Sequence, residues 1–321
     1  MTPKFQTHRL ELPAELAGRR LDAALAQLLP QYSRTRLQGW IEEGAVRVNG
    51  LTVRPRDPVV GGEMAEVEAR IVEETGVKAE KLPIDIVHED ATVLVVNKPP
   101  GLVVHPGAGN RASTLQNALL AHDPKLARVP RAGLVHRIDK DTSGLLVIAR
   151  TLAAHTALVA ELAAHEIQRE YLALCVGLMT GGGTVDEPIG RHRTQRTKMA
   201  VRSDGRHAVT HYRIEKRFRA HTLARVHLET GRTHQIRVHL AHVGYPIVGD
   251  PVYGGRKRLP AGASAALIAA LDKFKRQALH AERLELTHPK SGKRVEYTAP
   301  IPDDLAELLG ALGQDAREGG R

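Results

Sequence analysis

Cysteine is nearly absent from this 321-residue chain. The single thiol, Cys175, lies in the apolar run Tyr171-Leu-Ala-Leu-Cys-Val176, where it reads as a small core hydrophobe, and it excludes any disulfide within the chain. Aromatic residues are only 3% of the sequence, too few for a broad base-stacking platform. Nowhere do about eighteen apolar residues run together, and no opening stretch joins basic residues to a long apolar one. Neither a membrane span nor a secretory signal is therefore expected, and the expected location is the cytoplasm. Glycine-rich phosphate loops are missing too: Gly107-Ala-Gly109 and Gly181-Gly-Gly183 fall short of a dinucleotide fingerprint and do not bridge a strand to a helix. No nucleophile elbow of the G-x-S-x-G kind occurs. Seventeen histidines invite a metal reading, but no HExxH, paired cysteine or carboxylate cluster supports one, so neither metal nor cofactor is expected.

What the chain has in excess is basic charge. Forty-six Lys and Arg against 36 Asp and Glu give +10, and the densest runs are His192-Arg-His-Arg-Thr-Gln-Arg-Thr-Lys198, Arg256-Lys-Arg258 and Lys273-Phe-Lys-Arg276. Three such runs beside a basic total favour a phosphate backbone over an ordinary solvated face. With 42% hydrophobic residues the chain can fill two domain cores.

Leu21, Leu25, Leu28 and Leu29 stand at helical spacing and Pro30 stops the helix. Ser33 then caps a second helix that ends at Gly44, buries Leu37, Trp40 and Ile41, and carries Arg34 and Arg36 on its outer face. A hairpin turn at Asn49-Gly50 and an alternating strand from Met64 to Ile71 follow. Two helices with basic outer faces before a small sheet resemble an S4-type RNA-binding domain over 18–71. The preceding residues, 1–17, read as an N-terminal extension. Residues 72–83, charged and punctuated by Gly and Pro, read as a linker. Beyond them, strands are expected at Ile84–Val87, Val93–Val96, Leu134-Val135, Leu145–Ile148, Ile167–Gly177, Ala208–Phe218 and Thr222–Glu229, with helices at Thr114–Ala121 and Ala153–Ala164. Few crossover helices separate the later strands. The expected fold is α+β: a second domain over 84–313 with a large mixed, mostly antiparallel sheet flanked by helices, then a flexible tail at 314–321.

One polar loop sits between apolar runs in Gly133–Arg150, GLVHRIDKDTSGLLVIAR. It holds His136, Arg137, Asp139, Lys140, Asp141, Thr142 and Ser143, side chains displayed at the ends of rigid elements, as reacting groups commonly are. It could equally be a plain turn, with aspartates bonding local N–H groups and Gly144 relieving strain. Three other clusters could meet it. In Gln168-Arg-Glu-Tyr-Leu-Ala173, Tyr171 either packs or lines a pocket. In Glu229-Thr-Gly-Arg-Thr-His-Gln-Ile-Arg-Val-His239, a helix begins near Thr233 with His234 at its opening and Arg237 one turn along. Arg237 is either a structural ion-pair partner or the cation that holds Asp139 ionised, as a nucleophile or base requires. Gly249-Asp-Pro-Val-Tyr-Gly254 could shape the rim.

His136-Arg-Ile-Asp-Lys-Asp-Thr-Ser-Gly-Leu-Leu146, Arg169-Glu-Tyr171 and Gly231-Arg-Thr-His-Gln-Ile-Arg237 resemble the signatures of the pseudouridine synthases of the RluA type, and the likeness extends over nearly the whole chain. Ile138 stands where that family more often has leucine. The resemblance implies an RNA pseudouridine synthase that isomerises uridines in a stem-loop of 23S ribosomal RNA, acting without cofactor or metal, as a monomer, on the RNA or the nascent large subunit. By position it implies that Asp139 is the catalytic nucleophile. Tyr171 would stack on the flipped uracil and could take the C5 proton, Arg237 would pair with Asp139, and Arg137 would fill the gap left by the extruded nucleotide. His136, Thr142, Arg232, His234, Arg34 and Arg36 would contact substrate RNA. Two other readings stay open. A silent RNA-binding or ribosome-assembly factor would keep the charge without the chemistry, and a retaining glycosidase would want a second carboxylate about 5 Å from Asp139, for which Asp141 is a poor candidate.

Overall fold

The computed structural model describes residues 4–30, 32, 34–71, 77–107, 110–195 and 197–319. They divide into two compact units, Met1–Gly76 and Val77–Arg321. In the first, β1 (Lys4–Leu12) leads to helices α1 (Leu21–Leu28) and α2 (Arg34–Glu42), a hairpin of β2 (Val46–Val48) and β3 (Leu51–Thr52), and a return strand β4 (Glu63–Ile71). The four-stranded sheet has the order β1-β4-β2-β3. Asn49 and Gly50 both take positive φ, 49° and 80°, as a two-residue I′ turn demands. Leu12, Leu21, Leu25, Leu37, Trp40 and Val67 meet in the core between helices and sheet. Residues 1–17 are more than an extension: Lys4 to Leu12 pair along β4, because His8, Leu10 and Leu12 alternate inward with polar residues between them. Ser33, the expected cap of α2, lies outside the described residues.

Asp22 organises the outer face of these helices. It is fully buried at the first turn of α1 and accepts from Arg20 Nη2 (2.7 Å), Arg34 Nη2 (2.9 Å) and the Gln38 amide. Burial would raise its pKa, but these donors hold it well below the usual carboxylate range. Arg34 is thus an ion-paired side chain, about half exposed at 48%.

The second unit begins earlier than the expected linker allows. The Lys78 carbonyl accepts from Asn117 Nδ2 (2.7 Å) and the Glu80 N–H donates to the Asn117 carbonyl (3.0 Å), so 77–83 pack on this unit. Residues 72–76 lie outside the described residues. Its elements are β5 (Asp85–Glu89), β6 (Val93–Lys98), α3 (Leu115–His122), β7 (Ser143–Ala149), α4 (Leu152–Ala163), β8 (Gln168–Val176), β9 (Gly183–Asp186), β10 (Ile189–Arg191), β11 (Met199–Val201), β12 (Val209–Arg217), β13 (His221–Leu228), α5 (Gln235–His242), α6 (Ala265–Lys273), β14 (Leu279–Thr287), β15 (Arg294–Thr298) and α7 (Asp303–Glu318). Nine strands form one mixed sheet in the order β5-β6-β7-β14-β8-β13-β12-β9, with β15 on β14, and β10 and β11 form a separate hairpin. Among the described strands of this sheet, β7 and β14 are the pair that runs parallel.

Every residue of β7 is buried, which is why its sequence is a continuous apolar run. Gly144 has φ 113°, and a Cβ there would fall on the Ala281 backbone of β14, so glycine is what lets these two strands close. Leu134 and Val135 differ from expectation. The chain there leaves a left-handed turn at Pro130–Gly133 and makes only an isolated bridge from Leu134 to Ile148, so the polar loop hangs from β7 on one side and a buried turn on the other. The tail is also better fixed than expected. α7 runs to Glu318, and its buried Asp315 pairs with Arg219 Nη1 (3.1 Å) and accepts from the Ser264 N–H (2.8 Å).

Candidate active site

The backbone after Asp139 is held from three directions. Lys98, at the end of β6, donates through Nζ to the Pro99 carbonyl (2.7 Å) and the Lys140 carbonyl (2.8 Å). Arg276 Nη1 donates to the Asp141 carbonyl (3.2 Å), and Gln277 Nε2 to Thr142 Oγ1 (3.1 Å). Thr142, expected to contact RNA, is 1% exposed and serves as an anchor of the loop. Burial lowers the Lys98 pKa to about 7, a fall that Asp141 opposes and Arg276 adds to. A neutral amine still has two N–H donors, one for each carbonyl.

Asp139 faces α5. Arg237, on the first turn of that helix, donates from Nη1 to Asp139 Oδ2 (2.9 Å). Its other edge grips Asp250 through Nε to Oδ2 (2.7 Å) and Nη2 to Oδ1 (2.9 Å), and Asp250 Oδ1 also accepts the N–H groups of Val252 (2.8 Å) and Tyr253 (3.0 Å). The guanidinium lies 5.1 Å from the centre of the Tyr253 ring. Burial would lower the Arg237 pKa, but the two carboxylates raise it overall. Asp250 is held below its ordinary value by Arg237 against its own burial. A permanently charged fork, fixed by a fully buried carboxylate, therefore presents one N–H donor to Asp139 Oδ2 and leaves Oδ1 outside that contact. Asp250 is committed to this anchoring, so it does not supply the second free carboxylate of a glycosidase.

Tyr171 lies mid-sheet on β8, opposite Val226 of β13 and Ala281 of β14, and is 5% exposed. Burial pushes its phenol pKa up, Arg169 opposes and the charge of Asp139 adds to the rise. It is a neutral phenol at the floor of the site. His136 lies under the loop: the Val147 N–H donates to its Nε2 (3.2 Å), while its Nδ1 is buried without a partner among the described residues. Burial, reinforced by Arg169, lowers its pKa to about 3. It is a half-buried, neutral support of β7. Arg137 is exposed beside Asp139. Arg232 is half-buried and donates from Nε to the His207 carbonyl (2.9 Å). His234, in the left-handed region at φ 58°, places Nε2 4.0 Å from Asp139 Oδ1. Arg34 and Arg36 belong to the first unit.

Sequence reasoning missed Lys98, Asp250 and Tyr253 as parts of the site. Lys98 had a signal, a lysine ending the apolar run Val93–Val96; Asp250 and Tyr253 had none beyond a turn-rich loop. Among the described residues no group of three or more His, Cys, Asp or Glu side chains could hold a metal ion, and no helix is long and apolar enough to cross a membrane.

Residues 92–242 match the RNA pseudouridylate synthase family and residues 19–64 match the S4 domain. A curated relative from Xanthomonas campestris pv. campestris, ribosomal large subunit pseudouridine synthase D, is 56% identical over 305 residues, spanning 95% of this chain and 92% of the relative. The chain belongs to the RNA pseudouridylate synthases. The protein of the same name from Pseudomonas aeruginosa is 55% identical to this synthase over 305 residues, 95% of either chain. A solved structure, human RNA pseudouridylate synthase domain containing 4, superposes with a TM-score of 0.56 at 25% identity, covering 71% of this synthase and 93% of that chain. The expected architecture of an S4 domain and a synthase domain built on a large mixed sheet is thus the one found, and the Asp139–Arg237–Asp250 arrangement lies in or beside the matched family segment.

Proposed function

We propose that this synthase isomerises uridines in a stem-loop of 23S RNA of the large ribosomal subunit, with Asp139 as the nucleophile and the target base flipped out of its stack. The observation that carries the reading is the contact of Arg237 Nη1 with Asp139 Oδ2 at 2.9 Å, made by a guanidinium that is itself locked to Asp250. It keeps one carboxylate oxygen occupied and the other available to the ribose. Relatives more than half identical over nearly the whole chain support the choice of substrate class. The exposed Arg137 suits the role of filling the gap left by the extruded nucleotide. Tyr171 suits stacking on the uracil. As a resting base for the C5 proton it is poor, because burial disfavours its phenolate. Arg232, Arg34 and Arg36 would meet phosphates on the RNA flanking the target. The reading has the enzyme act as a monomer and divides it at 72–76 between an RNA-holding unit and a catalytic one.

Pseudouridine mapping on large-subunit RNA transcripts and on precursor subunits, treated with wild type or Asp139→Asn and no added metal or nucleotide, tests this. New pseudouridine from wild type alone is expected. Equal RNA binding by both proteins with no product from either would leave a catalytically silent assembly factor instead.

A further inference from the structure

The Tyr253 hydroxyl lies between two partners. The backbone N–H of Met199, which can only donate, points at Tyr253 Oη at 2.8 Å, and His234 Nδ1 stands 2.8 Å away. Having accepted the Met199 N–H, the hydroxyl can give its own hydrogen to His234 Nδ1, the acceptor it contacts among the described residues. An imidazole that accepts at Nδ1 carries its own hydrogen, when neutral, on Nε2. His234 is held neutral: burial lowers its pKa, Asp139 opposes that, and Arg237 adds to it. Its Nε2 stands 4.0 Å from Asp139 Oδ1, beyond hydrogen-bond range, and the side chain keeps 22% of its exposure. An N–H at Nε2 therefore stands beside the reacting carboxylate without bonding to it. The left-handed backbone of His234, unusual for a residue with a Cβ, is what puts the ring there.

We propose that His234 is a catalytic hydrogen-bond donor, its Nε2–H oriented by Tyr253 toward the uracil carbonyl oxygen that becomes negative when the base leaves the ribose. This rests on the uridine-isomerising reading above. As Asp139 Oδ1 bonds to C1′ and the N1–C1′ bond breaks, the electron pair of the broken bond stays with the base and spreads over N1 and the ring carbonyls. His234 transfers no proton; its hydrogen bond strengthens with the charge. When C5 bonds to C1′, the C1′–Asp139 bond breaks and its electron pair returns to the carboxylate; the C5 proton then leaves to solvent, N1 takes one from solvent, the ring is neutral again, and the hydrogen bond from His234 relaxes. A fixed donor aimed at charge that exists only in mid-reaction raises turnover more than binding.

Two measurements test it. Nitrogen-15 NMR of labelled histidine in the free enzyme near neutral pH should show His234 protonated at Nε2 and bare at Nδ1. Single-turnover pseudouridine formation on large-subunit RNA transcripts should fall about 10²–10³-fold in His234→Ala, and His234→Gln, which keeps an N–H near the same place, should recover about tenfold of that loss. Tyr253→Phe should fall about tenfold while RNA affinity stays within about twofold, and should show mixed tautomers. A wild-type imidazolium or Nδ1–H tautomer, equal rates in the Gln and Ala variants, or a Tyr253→Phe enzyme at wild-type rate would each overturn the proposal. Wild type making no pseudouridine on any transcript would instead bring down the uridine reading beneath it.

Discussion

Arg237 serves two carboxylates at once, and lysine cannot do the same. Its fork spans Asp139 and Asp250, whereas an ammonium is a single point on a flexible stem. Arg237→Lys is expected to lower the single-turnover rate about 10²-fold with RNA affinity nearly unchanged, because the loss falls on Asp139 geometry. Arg237→Met should instead destabilise the fold by about 3–5 kcal/mol in urea unfolding, since Asp250 would be left charged and buried with only two backbone N–H groups and no counter-ion. Lys98 makes a pH prediction. Its pKa is about 7 in the folded protein against an ordinary 10.5, so between those values the unfolded chain binds the extra proton. Stability therefore rises with pH over that window, by up to about 1.4 kcal/mol per unit, and the cost of burying the charge is felt in full below it. Urea unfolding at several pH values should show this slope in wild type and its loss, relative to wild type, in Lys98→Met.

At the scale of elements, a tight joint in the second unit is the parallel pairing of β7 and β14. Gly144→Ala would drive a methyl into the Ala281 backbone at a φ of 113°, and we expect a loss of about 3 kcal/mol or more together with misplacement of the adjoining loop, read as a drop in both melting temperature and turnover. The glycine was visible in the sequence; its reason was not, because Ala281 lies far along the chain. The same distinction runs through the fold. β7, β8, β12, β13, α3 and α4 were legible because their apolar period is local. β1 was not, since its few inward residues gain meaning only when β4 lies beside them. Leu134 and Val135 read as a strand because burial was inferred correctly, but burial does not distinguish a strand from a packed turn. In the site, Asp139 and Arg237 could be paired from motif and charge, while Asp250 could not, since a carboxylate that acts by holding a neighbour leaves no mark of its own, and Lys98 was marked only by its place just past an apolar run.

The molecule as a whole carries +10, and its first unit displays arginines ordered by the single buried carboxylate of Asp22. Changing Arg34 and Arg36 together to glutamate is expected to weaken RNA binding about tenfold or more and flatten its salt dependence by about two units of log–log slope, with the rate at saturating RNA preserved. Fluorescence titration over a salt series, beside single-turnover assays, separates the two effects. The place of β14 has a different consequence, one of timing. Ser143 and His280 are 137 positions apart yet share a 3.0 Å hydrogen bond, because a strand near the end of the chain fills the gap between β7 and β8. A polypeptide emerging residue by residue thus holds two unjoined half-sheets, and Asp139 hangs from a strand still missing one neighbour. Arg276 and Gln277, which fasten the loop, arrive just before that strand. Until β14 joins the sheet, the loop that carries Asp139 lacks the contacts that fasten it, so this part of the unit assembles only once a strand from far along the chain is in place.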